Sequence, residues 1–208
     1  MKSLSTRSPL SGVSAALAGL FELPRCDFVE QARVAAELAR EVDAGAADRL
    51  AALACECTEL SSDRLEEVFV RTFELQPFCT PYAGPHLFGE EGFQRGRMLA
   101  GLRAGFARHG FEVQGELPDH LSVLLRFAAR LDGVEFDEFR AWFLATPLVK
   151  LADALAPTSN PYRHLAAAAR DLFAAQGVPD HVAQALSRLG AATASGTCGG
   201  SSTWSDEP

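Results

Sequence analysis

The 208-residue sequence predicts an all-α domain, and three observations carry that reading. Alanine (35) and leucine (27) dominate, valine is sparse (12) and isoleucine is absent. Ala and Leu favour helices, whereas β-branched and aromatic residues favour strands. Apolar residues recur at three- and four-residue spacing, the period of a helix with one buried face. Capping residues, glycines and prolines stand where that periodicity starts and stops.

Residues 10–21 read as a short helix ended near Pro24. Asp27 opens a second helix to about Val42, with Phe28, Val34, Ala35, Leu38 and Val42 inward, and Gly45 breaks it. A third runs from Ala46 to about Leu60. The Ser61-Ser62-Asp63 cluster caps a fourth, Asp63 to Gln76, whose inner face is Leu65, Phe69, Val70 and Phe73. Pro77 to Gly89 holds three prolines and two glycines and predicts an irregular loop, although its aromatics require it to pack against something. Helix resumes from Glu90 to His109 and closes on Gly110, with Glu91 and Arg95 as an i,i+4 pair. Pro118 suits the first turn of the next helix, which turns Leu121, Leu124, Leu125 and Ala128 inward and ends at Gly133. Shorter helices follow near 135–145, 147–156, 161–176 and 179–190. The domain expectation is a flexible stretch over 1–9, one bundle of about nine helices over 10–190, and a Gly/Ser/Thr-rich, compositionally disordered tail over 191–208.

The formal net charge is −8, which disfavours nucleic acid and polyanionic substrates and suits a basic peptide partner better. Five scattered cysteines make a poor disulfide framework and read as reduced thiols. Cys55 and Cys57 stand two apart on a helix, roughly 200° around it, so they face opposite ways. No run approaches the roughly 20 apolar residues of a membrane span. Lys2 and Arg7 before Leu10–Phe21 have the outline of a secretory signal, but Ser11, Gly12, Ser14 and Gly19 dilute it, which favours a first helix in the cytoplasm.

Enzyme motifs of the GxGxxG, P-loop, HExxH and GxSxG kinds are absent. His86 and His120 with nearby acids leave a metal-dependent enzyme open as an alternative, against a His86 that merely bonds backbone at a loop–helix junction. Asp119 and His120 are consecutive, so Asp119 is expected to anchor the first-turn N–H groups of its own helix rather than orient His120. A generic helical adaptor is the third reading.

Three segments resemble a known family. Glu116-Leu117-Pro118-Asp119-His120-Leu121 is similar to the Glu-Pro-x-Asp-His signature of TorD-type and nitrate reductase delta-subunit-type chaperones. Glu67-Val68-Phe69-Val70-Arg71-Thr72-Phe73 resembles their aromatic-x-x-Leu-Phe motif, with Thr72 in place of Leu. Tyr82 to Glu91, followed by Arg95-Gly96, is similar to the family's loop and central helix start. Leu117, between Glu116 and Pro118, is a departure, and the tail is not a family element.

The resemblance implies an all-helical cytoplasmic chaperone, not an enzyme. It would bind the N-terminal leader of a molybdenum oxidoreductase catalytic subunit and hold the apoprotein for insertion of the molybdenum cofactor, binding no cofactor tightly itself. A leader is a basic pair followed by an apolar stretch, so its receptor needs acids beside an apolar groove. The expected arginine partners are Glu90, Glu91, Glu116 and Asp119, through directional carboxylate contacts. The expected groove residues are Phe69, Phe73, Tyr82, Leu87 and Phe88, with His86, Pro118 and His120 at the same site.

Overall fold

The computed structural model describes residues 9–75, 79–89, 92–113 and 115–174. Among these residues the chain is all helix: α1 (Pro9–Leu20), α2 (Phe28–Arg40), α3 (Ala44–Thr58), α4 (Ser62–Phe69), a π-turn (Val70–Glu74), α5 (Ala83–Phe88), α6 (Gly92–Arg108), α7 (Leu121–Ala128), α8 (Gly133–Phe143), α9 (Ala145–Leu155) and α10 (Tyr162–Phe173). The ten α-helices exceed the expected count of about nine. The helix expected at 179–190 and the tail lie outside the described residues.

Helix starts follow the capping residues. The Asp43 carboxylate accepts from Ala46 N at 2.7 Å, and Ser61 Oγ accepts from Arg64 N at 3.3 Å. The Asn160 side chain accepts from Tyr162 N at 2.9 Å ahead of α10. Asp27 precedes α2 as expected, but its carboxylate accepts from Gln31 Nε2 and caps no backbone group. Gly110 closes α6 at φ +58°, a left-handed position that costs glycine no Cβ clash.

Three sequence expectations need correction. Residues 77–89 are not wholly irregular, because Ala83–Phe88 forms a turn and a half of helix. Pro85 is its third residue, and first-turn N–H groups need no intrahelical acceptor, so proline costs nothing there. The helix expected over Asp63 to Gln76 changes geometry at Val70, where Leu75 N bonds Val70 O across five residues. The helix expected from Pro118 begins at Leu121, with Pro118 buried ahead of it and His120 as its cap.

The core has two aromatic centres. α2 packs on α3 and α1, α3 on α10, α10 on α9, and α1 on α7. Between them Phe73 meets Phe69, Tyr162 and Phe21 at centroid distances of 5.0, 4.9 and 6.1 Å, and Tyr162 meets Phe28 at 5.8 Å. The second centre joins α6, α7 and α8 through Phe106, Phe127 and Phe139, spaced 4.6 and 5.0 Å. Leu121, Leu124, Leu125 and Ala128 are fully buried, as their spacing predicted.

Thr72, the departure from the family's leucine, is buried. Its hydroxyl donates to Val68 O at 2.5 Å and accepts from Asn160 Nδ2 at 2.6 Å, tying the π-turn to the start of α10. Cys55 is exposed and Cys57 buried on opposite faces of α3, and burial pushes the Cys57 thiol up to about 11. No described helix is long and apolar enough to cross a membrane.

Candidate functional site

The Pro81–Tyr82 and Asp119–His120 segments are sewn together by backbone. Ala83 N donates to Asp119 O and Leu121 N to Pro81 O, both at 2.8 Å, forming an isolated antiparallel bridge between Tyr82 and His120. The Asp119 carboxylate is fully buried beneath this bridge. It accepts from Gly84 N at 3.1 Å and from Arg95 Nε and Nη2 at 2.9 and 3.3 Å. Asp119 therefore satisfies a first-turn N–H group, but that of α5 across the fold rather than that of its own helix.

Glycine at 84 is required by close approach. A Cβ there would lie 2.7 Å from Cγ, Cδ and Nε of Arg95, the side chain pinned on Asp119. The Arg95 guanidinium also stands 5.5 Å from the Tyr82 ring centroid, a cation–π contact that holds the tyrosine.

The Tyr82 and His120 rings meet edge to face at a centroid distance of 5.0 Å, and Tyr82 donates its hydroxyl to Glu116 at 2.9 Å. Burial and the Glu116 carboxylate push that phenol up to about 12. His120 Nδ1 accepts from Ser122 N at 3.2 Å and lies 2.7 Å from Ser122 Oγ, so its neutral form carries the proton on Nε2. His86 donates from Nε2 to Thr80 O at 2.8 Å, and Lys150 Nζ bonds its carbonyl. The expectation that His86 bonds backbone holds, though it sits on α5 rather than in a loop.

Burial lowers the pKa of both imidazoles below 6.5, opposed at His120 by Glu116, Glu22 and Asp119 and at His86 by its bond to Thr80. Both are harder to protonate in the fold than in the unfolded chain. As pH falls through 6.5 the unfolded state therefore binds more protons and stability declines, levelling off below the folded-state values. Melting temperature is expected to drop between about pH 7 and pH 5, and the His86→Gln/His120→Asn double variant, which keeps a capping group at 120, to flatten that slope. An equally steep slope in the double variant would show that other groups govern the pH response.

Beside the bridge lies a cleft of about 980 Å³. Phe69, Phe73 and Phe21, all buried, floor it, and Tyr82 and His120 form one side. Four carboxylates stand at it: Glu22, Glu66, Glu74 and Glu116. Two arginines face them. Although burial opposes its charge, Arg126 at 2.5 Å and Ser122 hold Glu22 below the usual carboxylate range; Arg25 is exposed. Glu66, Glu74 and Glu116 are exposed and have no ion pair among the described residues.

Of the expected site residues, the cleft thus gathers Phe69, Phe73, Tyr82, Glu116 and His120. Asp119, expected as an arginine partner for a leader, does not line the cleft, and its buried carboxylate bonds Arg95 and Gly84 of its own chain. Pro118 is buried beside it, and His86 (buried), Leu87 and Phe88 (half-buried) lie on α5, outside the cleft lining. Glu90 and Glu91 lie outside the described residues. Sequence reasoning missed Glu22, Leu23, Glu66 and Glu74. A signal existed for Glu66, which precedes Phe69 and Phe73 by three and seven residues on one helical row. Among the described residues no three His, Cys, Asp or Glu side chains gather as a metal would need.

The model of the family described as nitrate reductase delta subunit matches residues 36–168, well over half of the chain. The chain belongs to that family. The delta-subunit family is one of chaperone-type subunits that serve molybdoenzyme maturation. No individually curated protein matches the chain, so kinship is established at the level of the family. The span matched to the delta subunit holds the bridge, the Asp119–Arg95 pair and most of the cleft; the cleft wall from Phe21 to Arg25 precedes it.

Proposed function

We propose that this chain is a cytoplasmic chaperone that holds the N-terminal leader of a molybdenum oxidoreductase catalytic subunit in the cleft beside the Tyr82–His120 bridge. The observation that carries the reading is the cleft's combination of a phenylalanine floor with carboxylates at Glu66, Glu74 and Glu116. The leader's apolar stretch would lie over Phe69 and Phe73, and its arginines would meet the three glutamates. His86, Leu87, Phe88 and Pro118 would support the site from behind, and Glu90 and Glu91 remain candidate arginine partners. The molybdenum cofactor is the client's; this chain keeps the client open to it and catalyses nothing.

Calorimetry with a synthetic leader peptide of the client tests the reading. The Glu66→Gln/Glu74→Gln/Glu116→Gln variant should bind at least about tenfold more weakly than wild type while its melting temperature stays within a few degrees. Wild-type affinity should fall as ionic strength rises, since the pairs sit at an exposed mouth. Unchanged affinity in the triple variant would sink the assignment of this cleft.

A further inference from the structure

Only Leu102 and Phe106 of the 17 residues of α6 are buried, so among the described residues this helix is packed along one narrow line. Beside that line α6 and α8 flank a second groove, of about 340 Å³, floored by Leu102, Phe106, Phe139 and Phe143. Trp142 stands half-buried on its α8 side. On the α6 side a Cβ on Gly101 would meet nothing within 4 Å, and one on Gly105 only the Arg108 side chain, so a further helix backbone can come close there. The end of α10 is fastened next to this groove. Phe173 O accepts from Arg140 Nη1 at 2.7 Å, and Arg140 follows Phe139 of the groove floor on α8. The sequence then runs through Gly177-Val178-Pro179-Asp180, a stop and a start signal for helix, into Val182, Ala185, Leu186 and Leu189, which share one helical face at i, i+3, i+4 and i+7. His181, Gln184, Ser187 and Arg188 take the other face, and Gly190 follows as a stop signal.

We propose that residues 179–190 form a helix that lies in this groove of their own chain, with Val182, Ala185, Leu186 and Leu189 over the aromatic floor. The length of chain allows it. The five residues from Ala174 to Pro179 reach about 16–18 Å, more than the roughly 10–12 Å diameter of the helix they must pass. The pattern requires it, because an apolar row of this kind is stable as helix only when it is buried against a neighbour. Other occupants fit less well. A basic leader needs free acids beside an apolar floor, and Glu135 at this groove already accepts from His109 at 2.8 Å. A second copy must compete with a segment on so short a tether, whose effective concentration is on the order of millimolar. The groove shares no lining residue with the leader cleft, and the inference does not depend on the leader reading.

Hydrogen exchange and tryptophan fluorescence of the full chain test it. In the wild type the amides of 182–190 should exchange at least about tenfold more slowly than those of an unstructured chain. Trp204→Phe leaves Trp142, at the groove, as the sole tryptophan. In that background Leu186→Ser/Leu189→Ser should move Trp142 emission to longer wavelength and abolish the slow exchange. Gly101→Gln, which fills the groove from the α6 side, should do the same. Gln184→Ala/Ser187→Ala, on the polar face, should change neither signal. Exchange of 182–190 at the unstructured rate in the wild type, or signals that both groove-directed variants leave unchanged, would overturn the proposal. So would protection that disappears on dilution, which would assign the groove to a second copy. So would a Trp142 shift on adding a synthetic peptide of two arginines and an apolar stretch, which would assign it to a leader. Should the leucine variant fail to fold by circular dichroism, Gly101→Gln decides alone, since it replaces glycine by a better helix former in open space.

Discussion

Replacing Asp119 by alanine is expected to destabilise the fold by about 3–5 kcal/mol, since removal of one partner of a buried ion pair strands the other. Here the stranded groups are the Arg95 guanidinium and the N–H of Gly84, both facing the Asp119 carboxylate inside the fold. The end of the range depends on Arg95, which keeps 29% of its side chain exposed and can recover some water. Asp119→Asn retains an acceptor for Gly84 N and should cost less. Gly84→Ala should resemble Asp119→Ala, because the added methyl displaces Arg95. Urea denaturation followed by circular dichroism measures all three. Glu116→Gln is the contrast: it is exposed and its amide oxygen still accepts from Tyr82, so stability should move by less than about 0.5 kcal/mol. If Asp119→Ala unfolds at the wild-type urea midpoint, the bridge is not held by this carboxylate. Loss of leader binding in Asp119→Ala would therefore speak of a collapsed site, whereas loss in the glutamate triple variant would speak of the peptide's own contacts.

Much of the helical framework was legible because local chemistry and burial agree along it. At α4 and α10 a short polar residue both interrupts the apolar row and caps the next one, so sequence and structure start the helix within two residues of each other; at α3 the break expected at Gly45 falls instead at Asp43, whose carboxylate caps Ala46 N and leaves Gly45 inside the helix. The inner face of α7 follows from four positions that no other rotation buries together. Legibility failed where a backbone group is satisfied from far away. Asp119 precedes α7 and carries the local signature of a capping residue, yet it caps α5, 35 residues earlier in the chain. Nothing in the spacing around residue 119 encodes that reach. The same holds for α5, whose Gly84 and Pro85 argue against helix until the carbonyl and carboxylate of Asp119 accept from Ala83 N and Gly84 N. The candidate cleft was half legible for a related reason. Phe69 and Phe73 lie on a helical row, but Glu22 and Leu23 come from the segment after α1, and only tertiary packing carries them to Phe69 and Tyr82.

Phe73→Ala should be the most damaging single truncation in the cleft floor, at about 3–5 kcal/mol by the usual cost of emptying a buried aromatic site. Phe73 is 4% exposed and touches three other rings, so its loss opens a cavity that Phe21, Phe69 and Tyr162 cannot all move to fill. The π-turn sharpens the effect. The wide Val70-to-Leu75 closure sets the direction in which Phe73 leaves the backbone, and Thr72, held by Asn160 on the other side of the same turn, limits how far that backbone can relax. Phe73→Leu keeps most of the volume and should cost below about 1.5 kcal/mol. The pair separates two roles of one ring. Were Phe73 only a core residue, Phe73→Leu would bind a leader peptide as wild type does, and Phe73→Ala would lose binding only in proportion to its unfolded fraction. Were its exposed edge also the floor on which a leader lies, Phe73→Leu would weaken binding while remaining folded. Thermal melts and calorimetry on the same two variants measure both quantities, and a loss under 1 kcal/mol in Phe73→Ala would mean that the ring cluster at the base of the cleft is not the keystone its packing implies.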